Sequence, residues 1–191
     1  SSTTTTIINT NPQINSVTIN PNVDVVVDSL IECVAEGSDI DEIVDNLSFS
    51  YQWTNQDGDL LGTSESLQLS PSTTKSGDFL SCKVSVLDSE GASDSIIESV
   101  SIVNTSPVID SITLDPSVGV RIGDSLSCNV TSSDINNDVL TTTYNWTNQD
   151  GTSLGTNQIL FLDPNATSSF DDITCQVVIV DGQGGSTQDN I

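Results

Sequence analysis

The sequence predicts an all-β protein made of two copies of one repeat, and three observations lead to this prediction. The segment YQWTNQDG at residues 51–58 recurs as YNWTNQDG at residues 144–151. In both copies apolar and aromatic residues alternate with polar ones before the Trp, which is the pattern of a half-buried antiparallel strand. A Cys precedes each Trp and another Cys follows it at a similar distance. The chain of 191 residues therefore divides into two domains of about a hundred residues each.

Each repeat begins at an Asn-Thr-x-Pro motif, which starts at Asn9 and again at Asn104. A first strand follows each motif and ends at a second proline, because proline cannot donate a hydrogen bond to the interior of a sheet. These positions predict domain 1 over residues 9–103, domain 2 over residues 104–191, and an N-terminal strand or linker over residues 1–8. The N-terminal segment is rich in Thr and Ile, which favour strands.

The later strands are placed by period-two alternation and by turn residues. The first Cys strand has Ile31, Cys33 and Ala35 on one face, and the Trp strand that follows it ends in the Asn-Gln-Asp-Gly turn. Two short strands, the second Cys strand and a last strand complete each repeat. The hairpin before the last strand begins at Asp88 in repeat 1 and at Asp181 in repeat 2. The pattern predicts about seven antiparallel strands per repeat and no helix.

The four cysteines predict one disulfide within each repeat, because each repeat contains two of them at matching positions. The predicted pairs are Cys33 with Cys82 and Cys128 with Cys175. Zinc is the alternative, but the chain has no His and no CxxC motif. Closing a loop of about 50 residues stabilises a domain by roughly 4 kcal/mol. Disulfides indicate an oxidising compartment, and the absence of Met fits a mature chain whose leader has been removed.

The spacing of Cys, Trp and Cys among alternating strands resembles the immunoglobulin-like β-sandwich. More narrowly, the Asn-Thr-x-Pro start, the Tyr-x-Trp-Thr-Asn-Gln-Asp-Gly segment and the Asp-containing hairpin resemble the tandem Ig-like, PKD-like repeats of large prokaryotic extracellular surface proteins. This resemblance covers nearly the whole chain. It implies two sandwiches in which the Cys pair joins the two sheets and the Trp packs against the bridge. Such repeats serve as spacers, adhesins and wall material, so the resemblance implies a fold rather than one function.

The charge of the chain excludes several classes of partner. Three basic residues, Lys75, Lys83 and Arg121, stand against 27 acidic ones, and the formal net charge is −24. Such a surface repels nucleic acid and anionic membranes and attracts cations. No stretch is long and apolar enough to insert directly into a membrane. Because His is absent and the cysteines are expected to be oxidised, we expect no enzyme, no catalytic residues and no required cofactor.

Acidic residues crowd the loop between the first Cys strand and the Trp strand in both repeats. Ca²⁺ takes about six to eight oxygen ligands, which closely spaced Asp and Asn side chains can supply. The loops lack EF-hand spacing, and a solvated acidic loop is the alternative interpretation. The candidate calcium ligands are Asp39, Asp41, Glu42 and Asp45 in repeat 1, and Asp134, Asn136 and Asp138 in repeat 2.

Five Asn-x-Ser/Thr sequons are candidate sites of N-glycosylation. Two of them, Asn129 and Asn145, alternate with core positions, so we expect them to face solvent as a glycan requires. Chance is the alternative explanation, because the chain is rich in Asn, Ser and Thr. The five candidate acceptors are Asn46, Asn104, Asn129, Asn145 and Asn165.

The two ends of the chain predict how copies of it join. By the 93-residue spacing of the two tryptophans, Ile191 aligns with Glu98, so the last strand of repeat 2 is about five residues shorter than that of repeat 1. By the 95-residue spacing of the Asn-Thr-x-Pro motifs, residues 4–8 align with residues 99–103. The N-terminus thus contains the strand end that repeat 2 lacks. The candidate donor strand consists of Thr3, Thr4, Thr5, Thr6, Ile7 and Ile8.

These observations predict a structural subunit of an extracellular, pilus-like filament on the cell surface. Copies would join head-to-tail when the N-terminal strand of one completes domain 2 of the next, since an open sheet edge accepts an added strand. A head-to-tail contact that does not close into a ring propagates a fibre. Two alternatives stay open. One is a set of spacer repeats in a large adhesin or surface-layer protein, where the same strand would be continuous. The other is a calcium-dependent binding module.

Overall fold

The structure, a computed structural model, describes residues 3–41 and 46–191, and its strands confirm the predicted all-β fold. The chain divides into two compact units, Ser1–Val103 and Asn104–Ile191, which are called domain 1 and domain 2 below. Each unit is a β-sandwich with one disulfide. Nowhere in the described residues is there a helix long and apolar enough to cross a membrane.

Domain 1 contains seven strands among its described residues, paired antiparallel in two sheets. They are β1 (Gln13–Asn20), β2 (Leu30–Ser38), β3 (Ser48–Thr54), β4 (Leu60–Gly62), β5 (Ser66–Gln68), β6 (Phe79–Leu87) and β7 (Ser93–Ser101). One sheet has the order β1-β2-β5 and the other the order β4-β3-β6-β7. Burial alternates along β6, as period two requires, because successive side chains point to opposite faces of a sheet.

Domain 2 repeats this architecture with seven strands of its own. They are β8 (Val108–Asp115), β9 (Ser125–Ser133), β10 (Thr141–Thr147), β11 (Ser153–Gly155), β12 (Ile159–Phe161), β13 (Thr174–Val180) and β14 (Ser186–Asn190). The sheet orders are β12-β9-β8 and β11-β10-β13-β14, which match those of domain 1 strand for strand. The repeat seen in the sequence is therefore a repeat of structure.

A disulfide joins the two sheets in each domain. Cys33 on β2 is bonded to Cys82 on β6, and Cys128 on β9 is bonded to Cys175 on β13. All four half-cystines are fully buried, and the described chain has no free cysteine. The predicted disulfides are confirmed, and the zinc alternative is excluded because each thiol is consumed in a bridge.

The two tryptophans are the largest fully buried side chains, and each lies in the core that contains its domain's disulfide. A buried indole N–H needs an acceptor, because an unpaired polar group in a core is costly. Trp53 donates to the carbonyl oxygen of Ser64 at 3.0 Å, and Trp146 donates to that of Asn157 at 2.7 Å. The Trp of the recurring segment thus lies in the core of each domain.

Candidate functional site

An apolar groove of about 710 Å³ opens at the surface of domain 2. Its lining comes from the end of β8, the loop that leads to β9, and the segment before β13. Three of the lining side chains are exposed: Val120 at 37%, Ile122 at 42% and Phe170 completely. Apolar side chains that are grouped in a concave surface typically mark a site where another chain segment packs.

The corresponding space in domain 1 is filled by that domain's own last strand. Val25 and Val27, which align with Val120 and Ile122 by the 95-residue spacing, are fully buried. They belong to one core cluster with the two inward side chains of residues 99–103, which expose only 4% and 2% of their surface. The same positions are therefore core in domain 1 and surface in domain 2.

Residues 99–103 are held in domain 1 by backbone hydrogen bonds on two sides. Ile102 donates to the carbonyl oxygen of Asp78 and accepts from the N–H of Gly77, both at 2.9 Å. On the other side, the N–H of Val103 donates to the carbonyl oxygen of Val25 at 2.7 Å. The segment thus bridges the edge of β6 and the loop after β1, and it closes that end of the sandwich.

In domain 2 the matching edge is open. The pairing of β14 with β13 ends where Cys175 and Ile191 exchange backbone hydrogen bonds of 2.8 and 3.0 Å. β13 begins at Thr174, whereas its counterpart β6 begins at Phe79, the position of Asp172 by the 93-residue spacing. Across residues 3–41 and 46–191, no strand pairs with this edge before Thr174. Residues 171–173 line the groove, so the groove adjoins this edge.

The N-terminal segment, residues 3–8, belongs to no strand in the described chain. Ile7 exposes 92% of its surface and Ile8 exposes 78%. By the 95-residue spacing Ile7 aligns with the buried Ile102, and Ile8 aligns with Val103, which is 38% exposed. The composition favours a strand, but a single strand has no ladder hydrogen bonds until it meets a partner.

A second site in domain 2 is formed by three carboxylates. Asp134 and Asp138 lie in the loop between β9 and β10, and Asp181 directly follows β13. One oxygen from each of the three lies within 4.8 Å of the other two. Asp181 is only 7% exposed, and the other two are half-buried. The fold therefore concentrates negative charge in a place where water screens it poorly.

Asp181 is held in its charged form by hydrogen bonds. The amide nitrogen of Asn104 donates to its Oδ2 at 2.9 Å, and the backbone N–H groups of Gln183 and Gly185 each donate to its Oδ1 at 2.8 Å. The Asn104 amide is the main reason that the pKa of Asp181 lies below its ordinary value. Burial opposes this shift, and the backbone donors add to it.

Three oxygens around this cluster have no partner. Asn104 Oδ1, Asp134 Oδ2 and Asp138 Oδ2 are inaccessible to solvent, and no hydrogen-bond donor reaches them from the described residues. Native structures satisfy nearly all buried polar atoms, so each exception requires an explanation. Asn136, which is 8% exposed, has its Oδ1 occupied by the backbone and hydroxyl of Thr105, while its Nδ2 also lacks a partner.

Domain 1 has a related arrangement. Asp88, which is 4% exposed, accepts from Asn9 Nδ2 at 2.9 Å, and this bond is the main cause that lowers the pKa of its carboxyl group. Asp39 Oδ2 is buried and unpartnered within the described chain. Asp41 Oδ2 accepts a hydrogen bond from the backbone N–H of Thr10 at 2.6 Å. The predicted ligands Glu42 and Asp45 lie outside the described residues.

The sequence prediction found the loop but not the whole cluster. Asp134 and Asp138 are brought together as expected, whereas the oxygen of Asn136 is occupied by Thr105. Asp181 and Asn104 were missed as members of the site. The available signal was the repetition of both residues, since Asn begins each Asn-Thr-x-Pro motif and Asp begins each hairpin before the last strand.

The five candidate glycosylation sites differ in how accessible their amides are. Asn46, Asn129 and Asn165 are exposed, and Asn145 is half-buried with its Oδ1 accepting from the hydroxyl of Ser153 at 3.2 Å. The amide nitrogen of Asn104, the atom that a glycan would modify, donates to Asp181 at 2.9 Å. Among the five, Asn104 is therefore the acceptor whose modification would disrupt the acidic cluster.

Comparisons with known proteins do not assign this chain to a family. No family model matches it, and no curated protein matches it. One solved structure that resembles it contains three N-terminal domains of the bacteriophage RB49 Highly Immunogenic Outer Capsid protein (Hoc), with 16% identity, a TM-score of 0.39, and coverage of 93% of this chain and 68% of that one. Another is the Bacteroides ovatus mixed-linkage glucan utilization locus protein SGBP-B in complex with a mixed-linkage heptasaccharide, with 12% identity, a TM-score of 0.29, and coverage of 96% and 47%. Neither likeness is close enough to carry an argument about function.

Proposed function

We propose that this protein is a structural subunit of an extracellular filament on the cell surface, in which residues 3–8 of one copy occupy the groove of domain 2 in the next copy. The observation that carries the proposal is the contrast between two equivalent positions. Residues 99–103 fill the position in domain 1, and the position in domain 2 is an open apolar groove. Residues 4–8 align with the strand that fills it.

The donated strand has suitable side chains at the two inward positions. In domain 1 these positions belong to Val100 and Ile102, which expose 4% and 2%. The aligned residues of the N-terminal segment are Thr5 and Ile7. Thr has nearly the shape of Val but carries a hydroxyl that needs a partner when buried, whereas Ile7 repeats Ile102, which forms a β-bridge with Val25 in domain 1. Burial of an Ile side chain contributes about 1.5–3 kcal/mol, so Ile7 is expected to be the main anchor.

The backbone of the groove also supports strand addition. Ile173, which directly precedes β13, aligns by the 93-residue spacing with Leu80, and Leu80 pairs with Val100 on β7. In domain 2 no strand among the described residues pairs with Ile173. Added strands gain affinity from such main-chain hydrogen bonds and specificity from pockets for alternate side chains. A backbone edge and apolar side chains that can form such pockets occur together at this groove.

Charge is a second constraint that the N-terminal segment satisfies. Copies with a net charge of −24 repel each other, but residues 1–8 contain no charged side chain. The donated strand can therefore enter without adding to the repulsion. Because the contact uses different surfaces of the two partners, it need not close into a ring and leads to a fibre.

The extracellular location in this proposal agrees with the two disulfides, which form in oxidising compartments. It also agrees with the resemblance to Ig-like, PKD-like surface repeats. The alternative is a spacer in a longer tandem array, where chain that follows residue 191 would fill the groove of its own domain. Domain 1 supplies the observation in its favour, because its filled groove leads directly into the next repeat.

Deletion of residues 1–8 tests the proposal. The truncated protein should keep both sandwiches, because residues 3–8 are in no strand, and it should remain monomeric at concentrations where the full chain forms fibres. Electron microscopy and sedimentation velocity report the polymer, and circular dichroism reports the fold. Deletion of residues 1 and 2 alone is the control, because it spares the donor strand and should leave fibre formation intact.

Two results would contradict the proposal. If the protein without residues 1–8 forms the same fibres as the full chain, the N-terminal segment is not the donor strand. If the full chain of residues 1–191 stays monomeric at all accessible concentrations, the spacer alternative is favoured instead.

A further inference from the structure

We propose that domain 2 contains a calcium site in which Asp134, Asp138 and Asp181 supply carboxylate oxygens and Asn104 supplies its amide oxygen. The site is separate from the groove and shares none of its lining residues. It does not depend on whether the protein polymerises. The three carboxylate oxygens already lie within 4.8 Å of one another without any ion.

The orientation of each side chain is the first reason to infer a ligand. Asp134 uses Oδ1 to accept the N–H of Asn136 at 2.7 Å, and Asp138 uses Oδ1 to accept from Gln183 Nε2 at 3.2 Å. Asn104 uses Nδ2 to donate to Asp181. In each of these three groups one polar atom is fixed by the protein, and the other oxygen is buried without a partner. The hydrogen bonds therefore hold the unpartnered oxygens in place and do not satisfy them.

Charge is the second reason. Carboxylates this close repel one another, and burial strengthens the repulsion because the local dielectric constant is low. The sequence of domain 2 contains a single basic residue, Arg121, and it lines the groove. A bound cation would neutralise the charge and also supply the partner that the buried oxygens lack.

The chemistry of the donors favours calcium. All four are oxygens, and the chain has no His and no free cysteine among the described residues, so ions that prefer nitrogen or sulfur ligands are not matched. Calcium binds oxygens at about 2.3–2.6 Å, so two ligands of one ion lie at most about 5 Å apart, which the separations of the three carboxylate oxygens satisfy. Water completes its shell of about six to eight oxygens.

Calorimetric titration of the full chain with CaCl₂, after removal of metal with a chelator, tests the site. We expect saturable binding, and we expect Ca²⁺ to raise the unfolding temperature of domain 2. The variants Asp138→Asn and Asp134→Asn should weaken binding at this site by about tenfold or more, because each removes a charged ligand. Their fold can be checked without calcium, where each should unfold as cooperatively as the parent protein.

Asp150→Asn is the matched control, because it makes the same change of charge in an exposed turn of domain 2 away from the cluster. It should bind calcium like the parent protein. The site is ruled out if the parent protein shows neither saturable binding nor a shift in unfolding temperature. It is also ruled out if Asp150→Asn weakens binding as much as Asp138→Asn does, since binding would then reflect net charge. An equal stabilisation by the same concentration of Mg²⁺ would overturn the assignment to calcium.

Discussion

Extension of the chain by Ser-Val-Ser-Ile-Val directly after Ile191 should abolish fibre formation and stabilise domain 2. These five residues follow Glu98 in domain 1, the position that aligns with Ile191, and there they fill the groove. In the extended protein the groove is filled in cis, so the strand of another copy has no place to bind. The extension acts through the acceptor and leaves the donor strand unchanged.

The gain in stability has a predictable size. Burial of the inward Val and Ile contributes about 1.5–3 kcal/mol each, and each backbone hydrogen bond of the added segment contributes about 0.5–1.5 kcal/mol. Ordering the five residues costs about 1–2 kcal/mol per residue and offsets most of this gain. A net gain of about 2 kcal/mol would raise the midpoint of thermal unfolding of a domain of this size by roughly 10 °C. Differential scanning calorimetry measures the shift, and sedimentation velocity measures the loss of polymer.

The control for this experiment is the extension Ser-Val-Ser-Asp-Val. It has the same length but places a carboxylate where Ile102 is buried in domain 1. It should give little stabilisation and should leave polymerisation largely intact, because a buried unpaired charge costs several kcal/mol. If the two extensions have equal effects, the groove is not a specific strand site.

The substitution Ile7→Asp should weaken the contact between copies by about 100-fold or more. Ile7 aligns with the buried Ile102, so the change removes the main apolar anchor and places a charge in an apolar groove. The loss of burial alone costs about 1.5–3 kcal/mol, and the charge adds to this, while about 1.4 kcal/mol corresponds to a factor of ten. The critical concentration for fibre formation, measured by light scattering, reports the effect.

Ile8→Asp is a matched control because it changes the charge by the same amount at the next residue. Ile8 aligns with Val103, which is 38% exposed in domain 1, so its side chain should lie at the edge of the groove. We expect its critical concentration to rise by less than about tenfold. Equal effects of the two substitutions would show that electrostatic repulsion alone, without strand register, controls assembly.

The parts of the structure that the sequence predicted best are those specified by local periodicity and by the internal repeat. Alternation around Trp53 and Trp146 predicted the central strands, because a half-buried strand needs an apolar residue at every second position. The repeated cysteines predicted both disulfides, because each repeat contains two of them at matching positions. Two copies of one pattern make a chance match less credible than a single copy does.

The acidic cluster shows where such reasoning stops. Asp181 is 43 residues from Asp138 in the chain, and only the pairing of β13 with β10 brings their loops together. Proximity in the sequence is also a poor guide to membership of the cluster. Asn136 lies between Asp134 and Asp138 in the chain, but its Oδ1 accepts a hydrogen bond from the backbone N–H of Thr105. Membership of the cluster depends on which oxygen each hydrogen bond leaves free, and no sequence pattern specifies that.

The N-terminal segment was the most ambiguous part of the chain for a related reason. Thr and Ile favour strands, yet a strand requires a partner edge, and the described chain pairs residues 3–8 with none. The alignment of residues 4–8 with residues 99–103 identified a suitable edge, and the structure contains an open groove at that position in domain 2.

The most direct test of strand donation is a titration followed by NMR. Isotopically labelled protein that lacks residues 1–8 is mixed with an unlabelled peptide of residues 1–8, and the amide signals of both domains are recorded. Donation predicts saturable changes at Ile122, at Ile173 and along the edge of β13, with no changes of similar size in domain 1 and none when the peptide has Asp in place of Ile7. Strand donation is contradicted if saturating peptide leaves these groove signals unchanged, or if the largest changes occur in domain 1.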